Sequence, residues 1–451
     1  IVRKKKPIWR AGGFYPTYEG KTWSYFHESS IWPNSLIFHC DHRVTQDIIE
    51  KASKHQDVDK LEFKVHDSAR IWPFFAESLD LSPFSRCETL TEVRIDDVYG
   101  PIDLKPLSFI KTLNITYNHG TLLEGIEYED GNTEYFQNRV VFPESDHLET
   151  VVVHGGVEHD RKTLAEYPRL RELTIEYLKD TDLSWLSGSK SLEILKLLHT
   201  LPDNTILPEL ISLKELLVGF SLRPRTRSRG GKSLKTLDLS PLSVSKGLEE
   251  VRIYNQKIED IDLSPLALCK NLKSLLIAGC ALTSVDVSPL SRVPLESLTL
   301  SSNRMHSIIL PELPQLKDLG LNRNSFQRID LSFISDSKNL TALGVENNQL
   351  IELDLSPLSG LSNLRYLDLR NNRFEVLDLS PLKGIDGLHI DLNKNKHLKE
   401  VDVTPLLDEP DSVVISARWM KLIASEEKKD CFESTGSRRK LKYMKRKIEW
   451  Y

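Results

Sequence analysis

Apolar and polar residues alternate along this chain in a short pattern that recurs at a nearly fixed interval. The hexapeptide LDLSPL begins at residues 237, 353 and 377, and close copies begin at 261, 285, 329 and 401. Five of the six steps between consecutive copies are 24 residues long. Such a period is typical of stacked supersecondary units that bury their apolar faces on their neighbours. The pattern therefore predicts a solenoid, with degraded copies at 79–84 and 102–107.

A second pattern lies between the hexapeptides and predicts one short strand in every repeat. In residues 364–374 it reads LRYLDLRNNRF. The alternating Leu-x-Leu has the period of a strand with one face toward a core. The asparagine follows where the chain turns away, and its amide is expected to bond backbone groups and to stack on its equivalents. The positions that define the frame here are Leu364, Leu367, Leu369, Asn372 and Phe374.

The hexapeptide is predicted to form the wall opposite the strands. Its first, third and sixth residues are apolar and are expected to face inward, while its Asp and Ser can bond local backbone groups. Its proline has a fixed φ and stops a regular helix from starting before it. Short extended or 3₁₀ segments are therefore expected on this wall.

Together the two patterns resemble the leucine-rich repeat family over about residues 58–415, most clearly from residue 237 on. The proline-bearing hexapeptide is similar to that of leucine-rich repeat proteins from archaea. The resemblance implies an α/β fold: a solenoid, or horseshoe, with a parallel concave β-sheet and short extended or 3₁₀ convex segments. It also implies a surface for binding a protein partner.

The breaks in the period predict three segments. Residues 1–57 are an aromatic-rich stretch that is expected to cap the solenoid. Residues 58–425 are the solenoid of about 14 repeats, with insertions near 118–146 and 220–233. Residues 426–451 are a basic C-terminal tail.

The end of the solenoid is predicted as a last strand followed by a helix. The strand is VVIS at 413–416, and residues 438–451 are expected to form a basic helix. Between these two segments, the apolar residues have helical spacing and are expected to close the core. They are Trp419, Met420, Leu422 and Ile423.

Charge is distributed unevenly. The net charge is −5, yet residues 1–10 contain five basic residues and residues 438–447 contain seven, with no acidic residue in either stretch. The rest of the chain is therefore strongly acidic, which argues against a large nucleic-acid footprint on the sheet.

Cysteine spacing and hydropathy favour a reducing, cytoplasmic location. No pairing pattern connects the five cysteines, and two of them, Cys87 and Cys269, share one apolar repeat position. No run of about 20 apolar residues predicts a membrane span, and no secretory leader pattern is seen. Residue 1 is Ile and not Met, so the chain can be a fragment.

Residue types that suggest catalysis or metal binding lack the spacing that these functions need. His and Cys ligand types occur at 39–42 and 154–160, but without paired ligand spacing. Lys232 and Ser233 follow two glycines but lack the full phosphate-loop pattern. Asp recurs in every hexapeptide and Ser in most of them, whereas a catalytic pair is needed once. The chain is thus expected to be no enzyme and to use no cofactor, metal or small-molecule substrate.

The candidate binding residues are those that flank the strand leucines on the concave face. Tyr and Arg are the types that most often anchor protein partners. The candidates are Arg252, Tyr254, Leu276, Asn322, Glu346, Tyr366, Asp368 and Arg370.

Two alternatives remain open from the sequence. The first is binding of nucleic acid or an anionic membrane through the basic termini and an arginine-rich loop. The second is a role as a regulatory accessory subunit of a phosphatase or GTPase. The possible anion contacts are Arg223, Arg225, Arg227, Arg229, Arg438, Arg439 and Lys440.

Overall fold

The structure is a computed structural model of the chain, which divides into two compact units, Ile1–Leu201 and Pro202–Tyr451. Each unit contains its own run of parallel strands. The residues that the structure describes are 25–28, 35–39, 49–50, 52–54, 58–64, 79–96, 102–116, 126–127, 133–134, 140–154, 161–176, 178, 181–199, 201–219, 233–407, 414–418, 420–430 and 448–451.

The first unit is built on one strand per repeat. Strands β2, β3, β5, β7, β11, β12 and β13 pair in parallel in this order, and β1 pairs antiparallel with β2. A small parallel sheet, β4-β6-β10, and an antiparallel pair, β8-β9, accompany them. The strands are β1 Tyr25–Glu28, β2 Ser35–His39, β3 Lys60–Lys64, β4 Leu79–Asp80, β5 Glu92–Asp96, β6 Ile102–Asp103, β7 Thr112–Thr116, β8 Ile126–Glu127, β9 Thr133–Glu134, β10 Val140–Val141, β11 Thr150–His154, β12 Glu172–Glu176 and β13 Ile194–Leu198.

Helical segments of the first unit are short. The α-helix α1 spans Arg161–Glu166. The 3₁₀ segments are Ser82–Arg86, Lys105–Leu107 and Ser184–Gly188.

The second unit continues the same plan more regularly. Strands β14 to β21 and then β23 pair in parallel in chain order. A separate parallel sheet has the order β22-β24-β25. The strands are β14 Glu215–Gly219, β15 Glu250–Tyr254, β16 Ser274–Ala278, β17 Ser297–Thr299, β18 Asp318–Gly320, β19 Ala342–Gly344, β20 Tyr366–Asp368, β21 His389–Asp391, β22 Glu400–Asp402, β23 Val414–Ser416, β24 Lys421–Ala424 and β25 Glu449–Trp450.

The wall opposite these strands consists of 3₁₀ segments, as predicted. They are Ser240–Val244, Ser264–Leu268, Ser288–Leu290, Ser332–Ile334, Ser356–Leu358, Ser380–Leu382 and Thr404–Leu406, and a further one, Glu426–Lys428, follows β24.

The core of the second unit lies between the two walls. In the repeat of β20, Leu367 and Leu369 point inward and are buried. From the hexapeptide of the preceding repeat, Leu355 and Leu358 are buried as well. Each such side chain contributes about 1.5–3 kcal/mol through its burial. Stacking of these layers therefore stabilises the repeats.

The hexapeptide Asp forms a turn in every regular repeat. In one copy Asp354 Oδ1 accepts a hydrogen bond of 2.8 Å from the Ser356 backbone N–H, and Pro357 then occupies the first turn of the 3₁₀ segment. Hydrogen bonds from the side chain and the backbone N–H of Ser356 lower the pKa of Asp354. The predicted fold class, a leucine-rich repeat solenoid with a parallel sheet and short 3₁₀ segments, is therefore confirmed.

The helix that the sequence predicts around residues 419–423 is wrong. Residues 421–424 form β24, because Leu422 and Ala424 are buried with the period of a strand and β24 pairs with β22. Residues 449–450 of the predicted basic helix form β25, which pairs with β24. The Tyr451 hydroxyl donates a 2.8 Å hydrogen bond to Asp402 Oδ2 at the same place.

The bounds of the three predicted segments remain predictions. The structure describes only parts of residues 1–57, of the insertion at 118–146 and of residues 426–451, and the loop at 220–232 lies outside the described residues. Of the expected cap, β2 pairs in parallel with β3. Among the described residues, none of the helices has the length and apolar content needed to span a bilayer.

Candidate binding surface

One face of the parallel sheet in the second unit carries side chains that point away from the core. We call it the outer face. It consists of the residues in and directly after β14–β21 and β23 that alternate with the inward-facing residues. The strand register aligns these residues in rows across the sheet. The first row is Glu215, Glu250, Ser274, Ser297, Asp318, Ala342, Tyr366, His389 and Val414; the second is Leu217, Arg252, Leu276, Thr299, Gly320, Gly344, Asp368, Asp391 and Ser416.

A third row follows where the strands end. Backbone bonds continue the ladder there, for example from Arg323 N–H to the Glu346 carbonyl and from Asn347 N–H to the Arg370 carbonyl, each 2.8 Å. This row contains Tyr254, Ala278, Ser301, Asn322, Glu346, Arg370, Asn393 and Arg418. All eight candidates from the sequence therefore lie on this one face.

The middle of the outer face is a floor of small side chains. The small residues on β17, β18 and β19 and at the second position after β17 are Ser297, Thr299, Ser301, Gly320, Ala342 and Gly344. Larger side chains lie on both sides of the floor. Tyr254 lies on β15 on one side, and Tyr366 lies on β20 on the other. Neighbouring strands lie about 4.8 Å apart, so β15 and β20 are separated by roughly 24 Å along the sheet. The floor is wide enough for a polypeptide segment.

Asn322 explains why the floor has a glycine at residue 344. Asn322 Oδ1 accepts a 2.9 Å hydrogen bond from the Glu346 backbone N–H, which holds the amide across β19. A Cβ atom at residue 344 would lie 2.6 Å from both terminal atoms of this amide. The half-buried Asn322 is therefore held in place by the sheet.

Arg370 is held by three carboxylates, one from its own repeat and one from each of the two neighbouring repeats. Its Nη2 lies 2.5 Å from Glu346 Oε2 and 2.6 Å from Asp368 Oδ2, and its Nε lies 3.4 Å from Asp391 Oδ2. The hydrogen bond with Asp368, together with the other two carboxylates, raises the pKa of Arg370. Three negative charges surround one positive charge, so this part of the face is acidic.

Among the described aromatic and large apolar side chains of this face, Tyr366 is the most open to solvent. It is 62% exposed, and its ring centroid lies 6.4 Å from that of His389 at an interplanar angle of 50°. His389 Nε2 lies 3.2 Å from the Ser416 hydroxyl, which orients the imidazole. Tyr366 thus offers an aromatic surface beside the acidic group around Arg370.

Arg252 also has an acidic partner on its own strand. Its Nε donates to Glu250 Oε1 at 2.6 Å, its Nη2 contacts Glu250 Oε2, and the Ser274 hydroxyl donates to the same carboxylate at 3.1 Å. Leu276 lies beside Arg252 in the second row and is half-exposed. The two arginines are therefore engaged by carboxylates of this chain, while the tyrosines and Leu276 remain available for contact.

His389 and Asp391 belong to the same face but were not among the candidates from the sequence. Their repeat departs from the regular frame, since Leu388 precedes Ile390 by two residues where Leu364 precedes Leu367 by three. The sequence signal that could have identified them is the part of the frame that stays regular, which is Ile390, Leu392 and Asn395. The ladder places Asn395 in register with Asn372, whose backbone N–H donates to Asn395 Oδ1 at 2.8 Å.

A second group of charged side chains lies on the sheet of the first unit. Arg94 Nε donates to the buried Asp96 carboxylate at 2.7 Å. Burial and the charge of Asp96 raise the pKa of Glu176, and Arg94 partly offsets this shift. Burial lowers the pKa of His199, whose Nε2 lies 3.9 Å from Glu176 Oε1. The sequence did not identify this group, because its members lie on three different strands or turns far apart along the chain.

The remaining candidates have these positions. His39 ends β2 and His154 ends β11, and the other His, Cys and Asp residues of the two sequence clusters lie outside the described residues. In the described ranges no three His, Cys, Asp or Glu side chains converge in a way that suits a metal ion. All possible anion contacts, from Arg223 to Lys440, also lie outside the described residues.

Comparisons with known proteins agree with the observed fold. Residues 314–374 match the leucine-rich repeat family. A chain of the glycosylated Toll–Spatzle complex of Drosophila has a TM-score of 0.53 and 15% identity, over 87% of this chain and 58% of that chain. The plant peptide hormone receptor RGFR1 in complex with RGF2 has a TM-score of 0.50 and 12% identity, over 83% of this chain and 61% of that chain.

An internalin from Listeria monocytogenes has 20% identity over 79% of this chain and 86% of that chain, with a TM-score of 0.43. No match to a curated protein was found. At these identities the structural similarity concerns the fold alone, and this chain spans about 60% of the Toll and RGFR1 chains. The described residues thus have the fold of a leucine-rich repeat protein.

Proposed function

We propose that the chain is a non-catalytic scaffold that binds a protein partner on the outer face of the second unit. The observation that carries the proposal is a continuous face with a small-residue floor between two tyrosines, of which Tyr366 is 62% exposed. An exposed aromatic side chain of this kind is a frequent anchor of a protein interface. The solved structures of the Toll–Spatzle complex and of RGFR1 with RGF2 have this fold in proteins bound to ligands.

The anchors of this proposal are Tyr254, Leu276 and Tyr366. Arg252 and Arg370 position carboxylates and do not offer free guanidinium groups, since each forms ion pairs with acidic residues of the same face. Asn322, Glu346 and Asp368 supply the polar surroundings in which a partner is oriented. Polar groups around an apolar anchor exclude water and contribute specificity.

A non-catalytic role is supported by how the recurring polar residues are used. The hexapeptide Asp bonds the backbone N–H two residues later in copy after copy, as in Asp262 with Ser264 and Asp378 with Ser380, each at 2.8 Å. These side chains therefore form turns. A reducing, cytoplasmic location belongs to the same proposal, and the free, buried thiols of Cys87, Cys269 and Cys280 fit it.

The test is capture of a partner from a lysate of the source cells with the full chain at high salt. The outer-face variant combines Tyr254→Ala and Tyr366→Ala. The matched control combines Leu268→Ala and Val376→Ala, which removes two exposed apolar side chains away from the outer face. A partner that the wild type and the control retain, and that the outer-face variant binds about tenfold or more weakly, supports the proposal.

Equal retention by the outer-face variant and the control excludes the outer face as the binding surface. Nuclease treatment of the lysate removes nucleic-acid bridges, and the high salt weakens any remaining phosphate contacts steeply. Binding through the basic termini stays a prediction from the sequence, and deletion of residues 438–447 measures it in the same capture assay at low salt without nuclease.

A further inference from the structure

We infer that the partner presents a lysine or arginine side chain to Tyr366, within reach of the carboxylates of Asp368 and Asp391. This inference rests on the proposed function and names the chemistry of the partner at that surface. It is carried by two independent features of the outer face, its charge and its exposed aromatic ring.

In the part of the outer face where we place the partner, the Asp side chains of the first two rows give a negative charge. From β16 to β21 and in β23, these rows carry the carboxylates Asp318, Asp368 and Asp391, and no Lys or Arg. In the third row, Arg370 has its donors directed at Glu346 and Asp368. Arg323 lies at the rim, 3.7 Å from Glu346. Glu346, Asp368 and Asp391 share the one guanidinium of Arg370, so a partner that covers the first two rows meets an excess of negative charge.

The carboxylates are fixed in orientation before a partner arrives. Asp391 Oδ1 accepts hydrogen bonds from the Asn393 backbone N–H at 3.0 Å and from Asn393 Nδ2 at 2.7 Å. Asp368 Oδ1 accepts from the Arg370 backbone N–H at 3.2 Å and from its Nε at 2.9 Å. Asp368 Oδ2 accepts two more bonds from Arg370, from Nε at 3.1 Å and from Nη2 at 2.6 Å. A carboxylate has about four acceptor sites, so Asp391, whose Oδ2 lies 3.4 Å from Arg370 Nε, is the one that can accept a further donor from a partner. A fixed acceptor costs less entropy to bind than a mobile one.

The aromatic ring is placed to receive a cation on the same strand. Tyr366 and Asp368 are two residues apart in β20 and point to the same side, about 6.6 Å apart along the strand. A cation over the face of a tyrosine ring is attracted by the ring's quadrupole, and charge-assisted hydrogen bonds to carboxylates are about twice as strong as neutral ones. An ammonium or guanidinium group fits both features, whereas an acidic side chain is repelled.

The small-residue floor allows the rest of the partner segment to approach. Gly320, Ala342 and Gly344 lie on the two strands before β20, so no long side chain separates a partner backbone from the sheet there. The partner chemistry is accordingly a cationic polypeptide segment that crosses β18–β21.

The experiment selects binders of the full chain from a library of random dodecapeptides displayed on phage. The acidic-face variant combines Asp368→Asn and Asp391→Asn. The matched control combines Asp354→Asn and Asp378→Asn, which removes the same charge from two hexapeptides on the opposite wall. Thermal unfolding of both variants verifies that they fold.

We expect the selected peptides to share a Lys or Arg position. A synthetic peptide from the selection, labelled for fluorescence anisotropy, should bind the acidic-face variant about tenfold or more weakly than the wild type and the control. Replacing its shared Lys or Arg by Gln should cause a loss of similar size, and Tyr366→Leu should weaken binding whereas Tyr366→Phe should preserve it.

Peptides without a shared cation, equal loss in the control, or no selected peptide at all would each overturn the inference. Those results leave the proposed function intact if the captured partner still depends on Tyr254 and Tyr366. The proposed function fails by itself when capture does not depend on these residues, whatever the charge of the selected peptides.

Discussion

Gly219 shows how a single residue shapes the outer face of the second unit. It ends β14 with a φ of 132°, a conformation that glycine adopts readily and other residues rarely. A Cβ atom at this position would overlap the backbone carbonyl of Tyr254 in the next strand. The strand that carries one of the proposed anchors therefore packs against a position where a side chain does not fit.

At the residue scale we predict that Gly219→Ala strongly destabilises the second unit. Strained backbone and overpacking each cost about 1–3 kcal/mol, so the free energy of unfolding should fall by about 2–5 kcal/mol. The control is Gly188→Ala, where a Cβ atom would meet nothing within 4 Å. Urea denaturation measures both. A change of less than about 1 kcal/mol for Gly219→Ala contradicts this account.

The asparagine ladder is the element that joins the repeats at the end of the strands. Asn348 Nδ2 donates to the carbonyls of Leu321 and Val345 at 3.0 Å, and its Oδ1 accepts from the Phe326 N–H at 3.2 Å. Asn324 and Asn372 make equivalent bonds. The repeat with Cys280 at this position interrupts the ladder, and in the next repeat Asn303 Oδ1 is buried without a hydrogen-bond partner.

At the element scale we predict that Asn348→Ala costs about 2–4 kcal/mol of unfolding free energy, because buried backbone groups lose their partners at about 1–3 kcal/mol each. Asn363→Ala is the matched control. It removes an exposed side chain with one 2.8 Å bond to the Lys338 carbonyl, and should cost less than about 1 kcal/mol. Hydrogen exchange at Phe326 N–H should accelerate in the first variant alone. Similar stabilities of the two variants would argue against the ladder.

At the scale of the whole chain, one carboxylate per repeat is tied into a turn. Hydrogen bonds from the side chain and the backbone N–H of the following Ser lower the pKa in copy after copy. The aspartates concerned are Asp80, Asp182, Asp238, Asp262, Asp286, Asp354 and Asp378. A carboxyl group whose pKa is lower in the folded state than in the unfolded state stabilises the fold at pH values above its unfolded pKa. This stabilisation is lost as the pH falls through the folded-state pKa.

We therefore predict that thermal stability is nearly constant from neutral pH to about pH 5 and falls below about pH 4, near the unfolded pKa of Asp. Glu176 acts in the opposite direction, since its raised pKa makes its contribution decline as pH rises through the folded value. As a single group it should not reverse the trend.

The pH prediction is checked by circular-dichroism melting between about pH 2.5 and 7, a range that extends to both sides of the Asp pKa of about 4. Asp354→Asn with Asp378→Asn keeps the turn acceptor but removes the charge, so its acid-induced loss should be smaller than that of the wild type. The exposed Glu375→Gln is the control. An acid-induced loss that the double variant does not reduce would refute the role of the hexapeptide aspartates.

The repeat determined most of the fold from the sequence. The spacing of Leu364, Leu367 and Leu369 predicted a strand with an inward face, and the hexapeptide predicted a 3₁₀ wall, because both depend on the nearest repeats alone. The eight candidate residues on the outer face follow from the same alternation. The ion pairs of Arg252 and Arg370 did not follow from this alternation, since they depend on which side chains the strands bring together.

Only the tertiary structure decided what lies where the repeat ends or changes. Residues 421–424 have apolar positions compatible with a helix, yet pairing with β22 and β25 makes them a strand. Asp391 and His389 join the face through an irregular repeat, and Asp96 and Glu176 come near each other from distant strands. Local periodicity determines the direction in which a side chain points, whereas long-range strand pairing determines which side chains it contacts. The charge of the proposed binding surface depends on this strand pairing.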